Sequence, residues 1–334
     1  MIDRLNYTTH AIENIRQQQR ELANKGIPPE PNVYWVLDIL DTAVKFILPD
    51  HGELLDLTSF DQKHADLIKL PYPITVIEAP FPPRPEDRLA SGKETSSRRI
   101  GLYVEMTAAQ MLKKFPGAER PEPHSEGVLV IAIYYVDAAK RWEISGCASY
   151  FPYEQEAYNR LSEPNTPASL NYLAEVQEEG RPMSKMALRC YLAPLQPMLL
   201  HSMRQAGFDD DRIKAAMIGN ISDEQIMLAQ LCAVLNCGNV EQADVPVPEK
   251  LARARAKSGK LPLYDYRVLT VSGDVASREQ SDKPGYESAM RRTHLRRGHI
   301  RRLAAGRLVW VRPALVNADK DAGIIEKSYR VKSS

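Results

Sequence analysis

Eight arginines and two histidines crowd into residues 291–312. They are Arg291, Arg292, Arg296, Arg297, Arg301, Arg302, Arg307 and Arg312, with His294 and His299. A guanidinium keeps its charge at every working pH and presents a planar fork of donors that matches a phosphate. The segment therefore suits a polyanion, a nucleic-acid backbone first among them. The two histidines add a second chemistry. A neutral imidazole can take a proton from a 2′-hydroxyl, a second can act as the acid, and Arg296 or Arg301 can hold the charge on the phosphorane. That is the equipment of a metal-independent nuclease, with Tyr286 and Tyr329 as assisting groups. The same residues also suit a plainer role, as hydrogen-bonding pins within a hairpin. As zinc ligands the histidines lack a third partner at suitable spacing, so no metal and no cofactor are expected.

A second positive patch precedes the first. Lys250, Arg253, Arg255, Lys257 and Lys260 fall on a short helix and the turn after it. Few aromatics accompany them, which fits steering along a phosphate backbone better than base stacking. A solvated helix face is the plain alternative. The net charge of +1 conceals the asymmetry: residues 249–334 hold 20 Lys/Arg against 9 Asp/Glu, a balance of +11, and residues 1–248 carry −10. Such a split points to an anionic partner, or to an acidic part that docks on the basic part and neutralises it.

Other chemistries find little support. The chain has no GxGxxG, GxxxxGK[ST], HExxH or GxSxG. Cys147, Cys190, Cys232 and Cys237 form no CxxC pair and read as buried free thiols of an intracellular protein. Asp209-Asp210-Asp211 reads as a helix N-terminus, where negative charge meets the helix dipole. No uncharged apolar run reaches 18 residues, so no membrane span is expected, and the opening Met1-Ile2-Asp3-Arg4-Leu5 lacks a signal-like apolar region.

The elements that must position these residues read as an α+β fold. A polar helix starts near Thr8 or Thr9 and stops at Gly26. A second helix, apolar around much of its circumference, is expected from Val33 to Ile47, with Trp35 in the core. Strands follow at Ile74–Ala79, Ile100–Met106, Val128–Val136 and Trp142–Ser149, with a hairpin connection at residues 137–141 and a loop over 82–97. Together they predict a small, mainly antiparallel sheet over residues 30–150. Residues 152–185 read as a connector, with one short helix around Ser169–Glu178. Helices are expected near Leu195–Ala206 and Asp210–Ile218, then one from Ser222, whose Gln225 completes a capping box. The basic helix spans Glu249–Lys257. The remainder is β-rich: Tyr264–Val271, His294–Leu303, Leu308–Arg312 and Ser328–Val331. The division expected is 1–150 as an N-terminal α+β domain, 151–190 as connector and 191–334 as a helical and basic β-hairpin domain. In that hairpin His294 and Arg296 share one strand face and Leu295 and Arg297 the other; beyond Gly298, a candidate bulge, His299 and Arg301 oppose Ile300 and Arg302. Arginine lies on both faces.

The C-terminal segments carry a resemblance. Leu251–Tyr266, His294-Leu295-Arg296-Arg297-Gly298-His299, Val309-Trp310-Val311 and Gly323–Val331, in this order, resemble a family of phage and prophage proteins over about residues 226–331. Those relatives often have His or Arg near the end of the tryptophan strand, where this chain has Pro313-Ala314-Leu315. The resemblance implies a phage origin and a life inside the host bacterial cytoplasm. Three functions follow as expectations. The first is a non-enzymatic phage protein that binds nucleic acid or a nucleoprotein through residues 250–312. The second is the nuclease built on His294 and His299. The third is a structural or host-protein-binding factor for host takeover or anti-defence, without nucleic-acid contact.

Overall fold

The computed structural model describes residues 5–55, 62–83, 95–159, 162, 186–271, 294–296, 299–302, 308–311 and 314–316. An α+β architecture is present. Helix α1 (Tyr7–Asn24) and helix α2 (Pro31–Thr42) lead into strand β1 (Val44–Ile47), and the one-turn helix α3 (Gln62–Ala65) precedes β2 (Ile74–Pro80). Next come β3 (Arg98–Thr107), helix α4 (Ala108–Lys114), β4 (Glu126–Val136), β5 (Arg141–Ile144) and β6 (Cys147–Pro152). The short strands β7 (Tyr158–Asn159) and β8 (Met186–Ala187) pair with each other, and β9 (Tyr191–Pro194) follows. Then come a helix at Pro197–Gln205, the long helix Asp210–Leu235, β10 (Val240–Val245), the basic helix Glu249–Lys257 and β11 (Tyr266–Val271).

Nine of these strands form one sheet in the order β10-β11-β1-β2-β3-β4-β6-β9, with β5 also on β4. Strands from before residue 150 and from after residue 190 thus share it. The pairs are antiparallel except at β1, which runs parallel to both β2 and β11. The sheet is therefore mixed but mainly antiparallel, as expected, and it takes in strands beyond residues 30–150. Both faces are covered. Leu129, Ile131 and Ile133 of β4 pack with Ile12, Leu37 and Leu40 of α1 and α2, and Val128, Val130 and Ala132 pack with Ile221, Leu228 and Leu231 of the long helix. Burial on both sides explains why β4 is a continuous apolar run rather than an alternating one.

Three expectations need correction. The second helix stops at Thr42, and Val44–Ile47 is a strand. Its β-branched and aromatic residues suit a pleated surface, and pairing to β2 and β11 outweighs the helical period. Trp142–Ser149 is not one strand. Ile144 pairs with Ile133 but Ser149 with Val130, so five steps on one side face three on the other. The two extra residues make a bulge at Ser145-Gly146, whose Gly146 carbonyl accepts the amides of Leu195 and Gln196 as the chain enters the next helix. Finally, Ser222 does not begin a helix. Residues 210–235 are one helix through Gly219 and Asn220, and the Ser222 hydroxyl donates to the Gly219 carbonyl instead.

The long helix begins as its aspartates imply. The Asp209 side chain accepts the amide of Arg212, with Asp210 and Asp211 in the first turn. Asp209→Ala is expected to lower stability by about 1 kcal/mol, measured as a shifted urea midpoint at unchanged slope. Helix α1 is capped differently. The Asn6 side chain does not cap the helix, and the amides of Tyr7 and Thr8 donate to the Glu78 carboxylate of β2 at 3.0 and 2.8 Å.

Candidate interaction surface

The basic helix Glu249–Lys257 is unusual in that none of its nine residues is buried. Isolated helices of this length are marginal in water, so something must hold it. Arg255 does. Its Nε donates to the Leu261 carbonyl at 2.7 Å, and its Nη2 meets the Glu13 carboxylate of α1, also at 2.7 Å. Beyond the helix, the Pro262 carbonyl accepts the Thr9 hydroxyl, and Leu261 and Tyr264 pack against the core on the α1 side. The chain thus leaves the sheet after β10, makes an exposed helix, is fastened to α1, and returns as β11.

The cations divide between two jobs. Arg255, only half-buried, is spent on the fold. Lys250, Arg253, Lys257 and Lys260 are exposed, and Arg253 pairs with Glu249, four residues back, at 2.6 Å. An exposed pair of this kind contributes little to stability. The Arg255–Glu13 contact joins a cation of residues 249–334 to an acidic residue of 1–248, and Arg267 of β11 does the same with Asp244 of β10 at 3.4 Å.

The Arg/His segment is described in pieces. Strand β12 (His294–Arg296) pairs with β15 (Ala314–Val316), and β13 (His299–Arg302) pairs with β14 (Leu308–Val311). His294 faces Val316 and His299 faces Val311, so two residues on each strand separate the ladders and one antiparallel register serves both. Gly298, the candidate bulge, lies outside the described residues. This ribbon is joined to the body where the Gly238 amide donates to the Leu308 carbonyl, and Ile300, Leu308 and buried Val309 bring it apolar contact. Arg301 is exposed. Arg291, Arg292, Arg297, Arg307 and Arg312 lie outside the described residues, as do Tyr286, Tyr329, the expected strand at Ser328–Val331, the side chains of His294, Arg296, His299 and Arg302, and the expected helix around Ser169–Glu178.

Two buried polar clusters escaped sequence reasoning. On the long-helix side, Arg99 of β3 grips Glu224 with two bonds, Nε to Oε1 at 2.7 Å and Nη2 to Oε2 at 2.9 Å. It also meets the Asn220 carbonyl at 2.7 Å and Asp223 at 3.2 Å. Glu224 is fully buried, and burial lifts its carboxyl to about 7 against the pull of Arg99. Tyr103 folds over Gly101, where any Cβ would overlap its ring, and donates to the Glu224 backbone carbonyl at 2.8 Å. On the α1 side, buried Glu78 accepts the Tyr266 hydroxyl at 2.8 Å in addition to the two helix amides, and burial raises its carboxyl. Lys45 sits 3.8 Å from the centre of the Tyr264 ring, and burial lowers its ammonium to about 8. The only cue in the sequence was a charged residue within an apolar strand run. These clusters are enclosed, and among the described residues no group of His, Cys, Asp and Glu is placed to hold a metal ion. No helix among them is long and apolar enough to cross a membrane.

Fold and surface together define an α+β protein with an exposed basic helix fastened on the α1 side of its sheet. The chain belongs to the AcrVA2-like family, the anti-CRISPR type V subtype A2 family, whose model matches residues 49–318. It is therefore a member of a phage anti-defence family. The match spans the long helix, the basic helix and the ribbon up to β15, while α1 and α2 precede it. Comparison with curated proteins and with solved structures finds no match.

Proposed function

We propose that this protein is an anti-CRISPR factor that protects phage from a type V CRISPR system inside the host bacterium, acting by contact with the nucleoprotein machinery of that system. The observation that carries the reading is the family match over residues 49–318, which takes in most of the sheet as well as the basic elements. The anti-defence expectation thereby gains over the general nucleic-acid-binding one. The contact is assigned to the basic surface, because an RNA-guided effector holds its nucleic acid through backbone charge, and Lys250, Arg253, Lys257 and Lys260 are exposed on one short stretch. The test is a plating assay on a host whose type V system targets the phage. Expression of this protein should restore plaques toward the count on a host lacking the matching spacer. Unrestored plating with the protein expressed would overturn the proposal.

A further inference from the structure

The basic helix has two sides with different duties, and its spacing states what the outer side fits. An α-helix turns about 100° per residue. Taking Lys250 as the origin, Lys257 lies about 20° and Arg253 about 60° from it, on the same side. Arg255 lies about 140° away in the other direction, with Leu251 beside it. The residue that fastens the helix to Glu13 and to the Leu261 carbonyl is thus turned from the other three. The outer stripe reads Lys250, Arg253, Lys257, and Lys260 continues the positive charge in the following turn.

We infer that this stripe is a docking strip for the phosphodiester backbone of a nucleic acid, and that Arg255, for all its charge, is a positioning residue that touches no phosphate. Three observations select this occupant. Charge comes first: the three stripe residues are cations, exposed, on a helix that buries nothing. Composition is second. Between the cations the helix offers alanines, with no aromatic or large aliphatic anchor on the stripe side, whereas a protein partner needs a desolvated apolar or aromatic centre. Backbone binding needs no such centre. Reach is third. Lys250 and Lys257 are about 10.5 Å apart along the axis at 1.5 Å per residue. In helical nucleic acid the charges of one strand recur about every 3.4 Å along the axis, so the strip spans about three phosphate-to-phosphate steps. Glu249 pairs with Arg253 at 2.6 Å, and both side chains stay exposed.

This inference rests on the nucleoprotein part of the proposed function, and its test separates the two. Full-length protein is titrated with a 20-mer single-stranded RNA and with a 20-base-pair DNA duplex at several salt concentrations, and log K is plotted against log [salt]. The triple variant Lys250→Gln/Arg253→Gln/Lys257→Gln should lose about 2 to 3 units of slope, since each phosphate contact contributes about 0.7 to 0.9. Lys250→Arg/Lys257→Arg should keep the wild-type slope. Because the stripe buries nothing, the triple variant should melt with the parent, and Arg255→Gln, which loses the tether, serves as the variant that loosens the helix with the stripe intact. The two ligands distinguish RNA from DNA as the source of the backbone. A slope unchanged in the triple variant, absence of binding to either ligand at low salt, or equal displacement by polyglutamate would overturn the inference. The plating assay, run on the same variants, reads the anti-CRISPR function by itself.

Discussion

Arg99→Ala is expected to destabilise the protein by about 3–5 kcal/mol at pH 9, and by clearly less at pH 6. The guanidinium holds a carboxylate that is fully buried between the long helix and the sheet. Removing it leaves Glu224 with a charge that neither water nor a counter-ion meets. The pH dependence follows from the raised carboxyl. With its folded-state value near 7 and the ordinary value at 4.5, the native state binds this proton more tightly than the unfolded chain does. Its contribution therefore falls as pH rises from about 4.5 to about 7. Without Arg99 the carboxyl moves higher still, so the variant continues to lose stability above pH 7 where the wild type has levelled off. Urea unfolding at pH 6 and pH 9 should show the gap widening. Equal losses at both values would mean that Glu224 is not the group left exposed to the change.

Glu78→Ala should be nearly as damaging, at about 3–5 kcal/mol, because it strands three donors at once. The amides of Tyr7 and Thr8 lose their cap, and the buried Tyr266 hydroxyl loses its acceptor. Glu78→Gln keeps an acceptor oxygen and should recover about half of the loss. Hydrogen exchange at the first turn of α1 provides the local readout. Its protection should collapse in Glu78→Ala, and it should survive in Asp209→Ala, whose cap serves a different helix. Since Glu13 of α1 carries the Arg255 tether, Glu78→Ala should also loosen the basic helix, although that helix lies 171 residues or more further along the chain.

These couplings show what was legible in the sequence and what was not. Strand β4 was readable because Val, Ile and Leu run without interruption between turn signals, and the basic helix because its lysines and arginines sit between Pro248 and Gly259. Asp209 marked its own helix through local capping chemistry. Each of those cues acts over a few residues. The missed features act over long separations. Val44–Ile47 continues the apolar pattern of α2, and only its partners 31 and 221 residues away make it a strand. Ser222 and Gln225 match a capping box in sequence, but the helix was already running, and Gln225 instead donates to the Ser149 hydroxyl. Arg255 looked equivalent to Arg253, and only the proximity of Glu13 separates a fastener from an exposed cation. The division of labour within one short helix was therefore outside the reach of composition and spacing.

The place of β1 in the sheet bears on how the protein is made. Phe46 pairs in parallel with Arg267, so one side of this strand cannot be completed until β11 has been synthesised. At bacterial translation speeds of about 5–20 residues per second, the intervening chain takes roughly 10–45 seconds to appear. During that interval the β1 edge and the partly covered sheet stand open, at a stage when unpaired edges invite mispairing. Closure of the sheet is thus a late event, set by a contact of high sequence separation, and the basic helix, lying between β10 and β11, takes up its final position only at that closing step.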